Sequence, residues 1–269
     1  MARAAAGVLL LGLAGCAVPA TDWWRQVAAA GFQATVVGGD PFRHVVLDKP
    51  GRPSGVLHVY LDGDGTPWEG TRPAADPTPR NPLVLELMRL DPEPSVYLGR
   101  PCYHGLAGDA GCEPALWTDA RYSERVVGSM TAALRAHPAA RAVDRLTLIG
   151  YSGGGALAML LAPRLRRTVA VVTVAGNLDT DAWTAHHRYR RLSGSLNPAA
   201  QAPLPPRIHQ RHYVGVRDLV VPPRIAARGP FEASTVVTVP DFDHVCCWAR
   251  LWPSVLEELV RATALQCGR

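Results

Sequence analysis

Three observations predict an α/β fold in a single domain. Apolar, β-branched runs of strand length recur along the chain, stretches of helical periodicity alternate with them, and one strand-like run ends in a glycine-flanked serine that opens a helix. Alternation of this kind builds a mostly parallel sheet covered by helices on both faces. The chain has 269 residues, 48% of them hydrophobic and 19% charged, enough for one large core. That balance excludes a disordered tail, a coiled coil and a polytopic membrane protein. The 25 glycines and 24 prolines follow no repeat, so they punctuate turns.

Eight strands are expected, in order: Phe32 to Val37, His44 to Leu47, Val56 to Leu61, Ser95 to Leu98, Leu146 to Ile149, Val169 to Val174, His212 to Val216 and Thr235 to Val239. Gly38, Gly39, Asp40 and Pro41 between the first two mark a hairpin, so the sheet opens antiparallel. From the third strand onward, helices or long connections intervene, which requires parallel crossovers. Helical periodicity fits Pro82 to Leu90, Ser123 to Ala136, Gly154 to Leu161 and Ser254 to Leu265; the second places Val126, Val127, Met130, Ala133 and Leu134 on one stripe. Residues 176 to 207, between the sixth and seventh strands, are too long for an ordinary connection of roughly 2 to 6 residues and are expected to form a short cap or pocket wall. The segment from Cys102 to Trp117 is expected to form the opposite wall. In such sheets, chemistry collects at the carboxyl ends of the strands.

The N-terminus bears on location. Arg3 precedes an apolar run from Ala4 to Ala14, about half the roughly 20 residues that a membrane-spanning helix requires, which suits a signal-peptide core. Leu13-Ala14-Gly15-Cys16 resembles the lipobox of bacterial lipoproteins, in which the cysteine thiol is lipidated and becomes the first mature residue. The resemblance implies a signal peptide over residues 1–15, a single mature domain over 16–269 and a membrane partner reached through lipid on Cys16. Ala17 in the second mature position is similar to outer-membrane sorting signals, implying a periplasm-facing location. Export to an oxidising compartment makes disulfides possible. Cys102 and Cys112 flank a short Gly-rich segment and are the cheapest pair to close, whereas a helix before Cys267 would hold it away from Cys246 and Cys247. The state of those last three is open.

The chemistry centres on Gly150-Tyr151-Ser152-Gly153-Gly154, which follows the strand Leu146 to Ile149 and runs into the apolar helix from Ala156 to Leu161. A strand, a sharp turn and a helix are what a nucleophile elbow needs; the turn lifts the serine hydroxyl above the sheet and aims the Gly153 N–H at a developing oxyanion. A serine hydroxyl is a weak nucleophile until an imidazole takes its proton. Of nine histidines, His244 is the one just beyond the last strand and before the final helix; His58 lies within a strand, and His186 and His187 are expected in a loop too early in the chain. The orienting carboxylate is assigned to Asp218, at the end of the seventh strand. Asp179 and Asp181, after the sixth strand, are the alternatives, and Asp243 is too close in sequence to its neighbour's ring.

Ser152, Asp218 and His244, in that order and with the elbow after the fifth strand, resemble the α/β-hydrolase superfamily. Further segments, including Gly63-Asp64-Gly65, Arg100-Pro101-Cys102 and Gly194-Ser195-Leu196-Asn197-Pro198, are similar to poorly characterised bacterial envelope hydrolases of that superfamily. The resemblance spans roughly residues 55 to 255. It implies a serine hydrolase, most simply a carboxylic-ester hydrolase acting on a small-molecule or lipid-like acyl substrate. An amidase or peptidase using the same residues, and a non-catalytic binding protein on a degenerate scaffold, are the alternatives. Where the superfamily commonly carries a His-Gly pair, Asp62-Gly63 stands here. The second oxyanion donor is therefore assigned to the backbone of Asp64, with Gly65 in reserve. Two carboxylates beside a developing negative charge would oppose catalysis unless they point away or pair with arginine. No cofactor or metal is called for. The basic residues, all arginine except Lys49, are scattered rather than arranged in a stripe, which argues against nucleic acid as a partner.

Overall fold

A computed structural model describes residues 21–52 and 54–264. The expected signal-peptide segment, Cys16 as the expected lipid-attachment residue, and Cys267 lie outside the described residues. The sheet has eight strands: β1 (Gln33–Gly38), β2 (Arg43–Lys49), β3 (Val56–Leu61), β4 (Ser95–Leu98), β5 (Arg145–Tyr151), β6 (Thr168–Val174), β7 (His209–Gly215) and β8 (Val236–Val239). Their order is β1-β2-β4-β3-β5-β6-β7-β8. The pairings of β1 with β2 and of β2 with β4 are antiparallel, and the other five are parallel. All eight expected strands are present, with bounds shifted by a few residues. A two-stranded ribbon, Trp68–Glu69 with Arg72–Pro73, is an addition too short to carry a sequence signal.

The helices are α1 (Thr21–Ala29), α2 (Leu83–Leu90), α3 (Glu124–Ala136), α4 (Pro138–Arg141), α5 (Gly153–Leu161), α6 (Thr180–His187), α7 (Pro223–Ala226) and α8 (Trp248–Ala264). Among the described residues, no helix is long and apolar enough to cross a membrane. On one face, the stripe of α3 and the wholly buried α5 pack on Leu57, Val59, Leu61, Leu146 and Leu148. On the other, α1, α2 and α8 pack on Tyr60, Tyr97, Ile149 and Val172, with Trp23, Trp248 and Trp252 as large buried anchors. All six residues of β3 are buried, as a strand covered on both faces must be, which is why it reads as an apolar run interrupted only by His58. Burying each large apolar side chain contributes about 1.5–3 kcal/mol relative to leaving it exposed, and these two layers hold the carboxyl ends of β3, β5, β7 and β8 in fixed relation.

Two readings of the sequence are corrected, and one left open is decided. The last helix begins at Trp248, six residues before the expected Ser254, and Pro253 lies inside it. Proline there reads as a helix start, but burial of Trp248 and Trp252 carries the helix back past it. His186 and His187 occupy the last turn of α6 rather than a loop. Finally, Cys246 and Cys247 pair with each other, an arrangement that the spacing argument did not weigh. Cys102 and Cys112 form the expected disulfide, with Cα atoms 5.6 Å apart.

Candidate active site

The fifth strand runs straight into Ser152, whose backbone has φ 52° and ψ −121°, a sparsely populated conformation for a residue with a side chain. The turn closes because two glycines allow it. A Cβ on Gly150 would overlap the Gly154 carbonyl, and one on Gly154 would overlap the Leu61 carbonyl. The Ser152 N–H donates to Val174 O at 2.9 Å, pinning the elbow to β6. Strain at this position is held by the sheet on both sides.

Asp218 and His244 lie in the loops that follow β7 and β8. Asp218 is 1% exposed, and its Oδ1 accepts the backbone N–H groups of Val220 and Val221, both at 2.8 Å. Its Oδ2 is thereby left for His244 Nδ1, 2.8 Å away. Facing a carboxylate, Nδ1 carries the ring proton, so Nε2 is free to accept the Ser152 hydroxyl at 3.0 Å. The loop that carries the ring is braced, and one aromatic ring flanks the imidazole. Trp248 Nε1 donates to the His244 carbonyl at 3.1 Å, Asp243 accepts the N–H of Val245 at 2.8 Å and of Cys246 at 2.6 Å, and the Tyr151 ring lies 5.2 Å from the imidazole. The alternatives to Asp218 are occupied elsewhere. Asp179 caps α6 and meets Arg228, and Asp181 pairs with Arg191. His58 is buried against Asp91.

The loop after β3 runs beside the serine. A Cβ on Gly63 would lie 3.4 Å from that of Ser152, and one on Gly153 would overlap the Asp64 carboxylate. The Asp64 side chain is the hub of a buried network. Arg100 Nη1 and Arg121 Nη1 each meet it at 2.9 Å, and the Tyr122 hydroxyl donates to it at 2.6 Å. Tyr103 donates to its carbonyl at 3.1 Å. With its side chain and carbonyl so held, its N–H has no acceptor among the described residues. Burial alone would raise the Asp64 pKa, but the charges of Arg121 and Arg100 outweigh it and hold the carboxyl below its ordinary value. The condition set by the sequence, that an aspartate here must pair with arginine, is met at Asp64. Asp62 differs: burial is its dominant influence and pushes it up to about 7, although it accepts the Gly63 N–H at 2.7 Å and the Tyr97 hydroxyl at 3.2 Å.

A cavity of about 1240 Å³ opens onto Ser152 and His244. One wall is the connection between β6 and β7, which supplies Trp183 from α6 and residues 188 to 193. Trp183 Nε1 and His187 Nε2 both approach the Val220 carbonyl at 2.8 Å. The opposite wall is not the 102–117 loop, none of whose residues lines the cavity. Trp68 to the 70–71 turn, Arg80, Asn81 and the segment 118–121 form it instead. Arg100, Arg121 and Tyr122 escaped sequence reasoning, since no local spacing marks an arginine as the partner of an aspartate 57 residues away.

No protein-family model and no curated protein sequence matches the chain. Solved structures do resemble it. An α/β serine hydrolase without a lid from Xanthomonas campestris is 16% identical with a TM-score of 0.51, over 87% of this chain and 94% of that one. A membrane phospholipase A described as a bacterial virulence factor is 16% identical with a TM-score of 0.54, over 94% of this chain and 93% of that one. A proline iminopeptidase from Mycobacterium smegmatis is 11% identical with a TM-score of 0.56, over 86% of this chain and 98% of that one. At such identities the likeness is one of architecture, and it agrees with the strand order, the elbow and the helices on both faces: the chain has the fold of the α/β-hydrolase superfamily.

Proposed function

We propose that this protein is a serine hydrolase cleaving carboxylic esters through an acyl-enzyme. The observation that carries the reading is the relay from Asp218 through His244 to Ser152, with 2.8 Å and 3.0 Å between its members. His244 Nε2 takes the hydroxyl proton as Ser152 Oγ bonds to the acyl carbon. The resulting oxyanion sits between the N–H groups of Gly153 and Asp64, the second held in place by the arginine network. Collapse of this intermediate expels the alcohol, which takes the proton from His244. Water then repeats the sequence on the acyl-enzyme and releases the acid. Asp218 fixes the imidazole tautomer and faces the imidazolium as it forms. The strained φ of Ser152, a cost of about 1–3 kcal/mol, speaks against a scaffold kept only for binding.

The lipobox-like run ending at Cys16 supports placing the enzyme at the bacterial envelope, anchored by lipid in the outer membrane and facing the periplasm. Ser152→Ala is expected to abolish labelling by a fluorophosphonate probe and to lower hydrolysis of a 4-nitrophenyl ester by about 10⁴-fold or more, with the thermal melt nearly unchanged. Retained labelling would overturn the nucleophile. The same residues can cleave an amide, and a panel of peptide nitroanilides run beside the ester separates the two.

A further inference from the structure

Five arginines line the cavity above Ser152, and three of them are spoken for. Arg80 donates to Glu69 at 2.9 Å, Arg121 to Asp64 at 2.9 Å, and Arg191 grips Asp181 through Nε at 2.7 Å and Nη2 at 2.8 Å. Arg188 and Arg190 are exposed, line the same cavity and have no side-chain acceptor among the described residues. Nor is a carboxylate of the lining left to meet them. Asp64 is held by two arginines, Asp62 is buried, and Asp119 is engaged by the Gly194 N–H at 3.0 Å and the Ser193 hydroxyl at 3.3 Å.

The segment bearing these two arginines is fixed at both ends. Arg188 ends α6 in the left-handed conformation, φ 56°, which turns the chain out of the helix axis, and its N–H bonds back to Ala185. Beyond Arg191, the Ser195 hydroxyl donates to the Asp119 carbonyl at 2.6 Å, and the Leu196 N–H donates to the Tyr122 carbonyl at 3.1 Å. Between them, Tyr189 stacks on His187 at 5.2 Å and leaves more than half of its surface open. The result is a braced strip carrying two unpaired guanidinium groups and an aromatic ring along a cavity larger than the roughly 300–1,000 Å³ of ordinary ligand clefts. Guanidinium groups favour carboxylate and phosphate oxyanions, two oxygens of which they meet with paired N–H donors.

We propose that Arg188 and Arg190 form an anion-binding wall of the substrate cavity, and that the ester cleaved here carries a carboxylate or phosphate remote from the scissile bond. This inference rests on the ester-hydrolase reading for its reaction but not for its binding site. The first test is therefore calorimetry on the Ser152→Ala protein with octanoate, octyl phosphate and octanol. At least one anion should bind about tenfold more tightly than the alcohol, and Arg188→Gln with Arg190→Gln should bring that ratio to about one, while lysine at both positions keeps most of it. Tighter octyl phosphate or tighter octanoate each supports the wall and names its anion. Equal binding of anions and octanol, no binding of either anion, or a preference that survives the double glutamine variant would overturn it. In turnover, kcat/KM for mono-4-nitrophenyl suberate should exceed that for 4-nitrophenyl octanoate, and the double glutamine variant should erase the ratio. If neither ester is cleaved, the ester-hydrolase reading fails, and the calorimetry still decides the anion wall.

Discussion

Two sets of arginines stand near Ser152 under opposite conditions. Arg100 and Arg121 are nearly inaccessible, converge on one carboxylate and hold the loop beside Ser152. Arg188 and Arg190 are exposed on the cap side and converge on nothing within the described chain. A guanidinium removed from water needs a counter-charge in the fold, because desolvating an unpaired ion costs several kcal/mol. One left in water does not, so its charge stays available to a ligand. The same residue type therefore acts as part of the frame in one wall and as a contact surface in the other.

Breaking the buried set should have the largest effect. Asp64→Asn keeps the shape but leaves Arg100 and Arg121 facing each other without a counter-charge; a loss of about 3–5 kcal/mol is expected by denaturant unfolding, with ester turnover reduced as the loop loosens. A loss under about 1 kcal/mol would mean that the network is not structural. Asp62→Asn tests the neighbouring carboxyl. Its folded pKa of about 7 exceeds the unfolded value of about 4, so it stabilises the fold fully below pH 4 and that contribution fades as pH rises through 7. The melting temperature of the variant relative to the natural protein should therefore climb between pH 4 and 7 and then level. Buried His44, His104 and His212, lowered by desolvation to about 4, 3 and 3, act in the opposite sense on both proteins and cancel in that difference. The smallest effect belongs to the exposed pair. Arg188→Gln with Arg190→Gln should move stability by no more than about 0.5 kcal/mol, and a larger loss in the melt would place these side chains in the frame after all.

What could be read from the sequence divides along similar lines. Strands such as Val56–Leu61 announce themselves because a strand buried on both faces is mostly apolar, and the elbow does so because close backbone packing admits only glycine around Ser152. Asp218 and His244 followed from where the strands end. Short α6 was missed: its eight residues mix tryptophan, histidine and aspartate without a clear apolar stripe, and its position is fixed by contacts to the loop after β7 rather than by its own periodicity. The arginine network was visible only as a condition, that an aspartate beside the oxyanion must be neutralised. Which arginines do so depends on chain crossings that no local pattern encodes.

One peptide group joins the two halves of this site. In the Val220–Val221 peptide, the Val221 N–H is bound by the Asp218 carboxylate, and the Val220 carbonyl is approached by Trp183 and His187 of the cap helix. Swinging α6 outward would pull on the same peptide that orients the acid of the relay, so a wide opening of the cap would disturb the alignment of the imidazole. On the proposed function, the helix serves as a doorpost rather than a door, and the cavity stands open beside a serine already 3.0 Å from its imidazole.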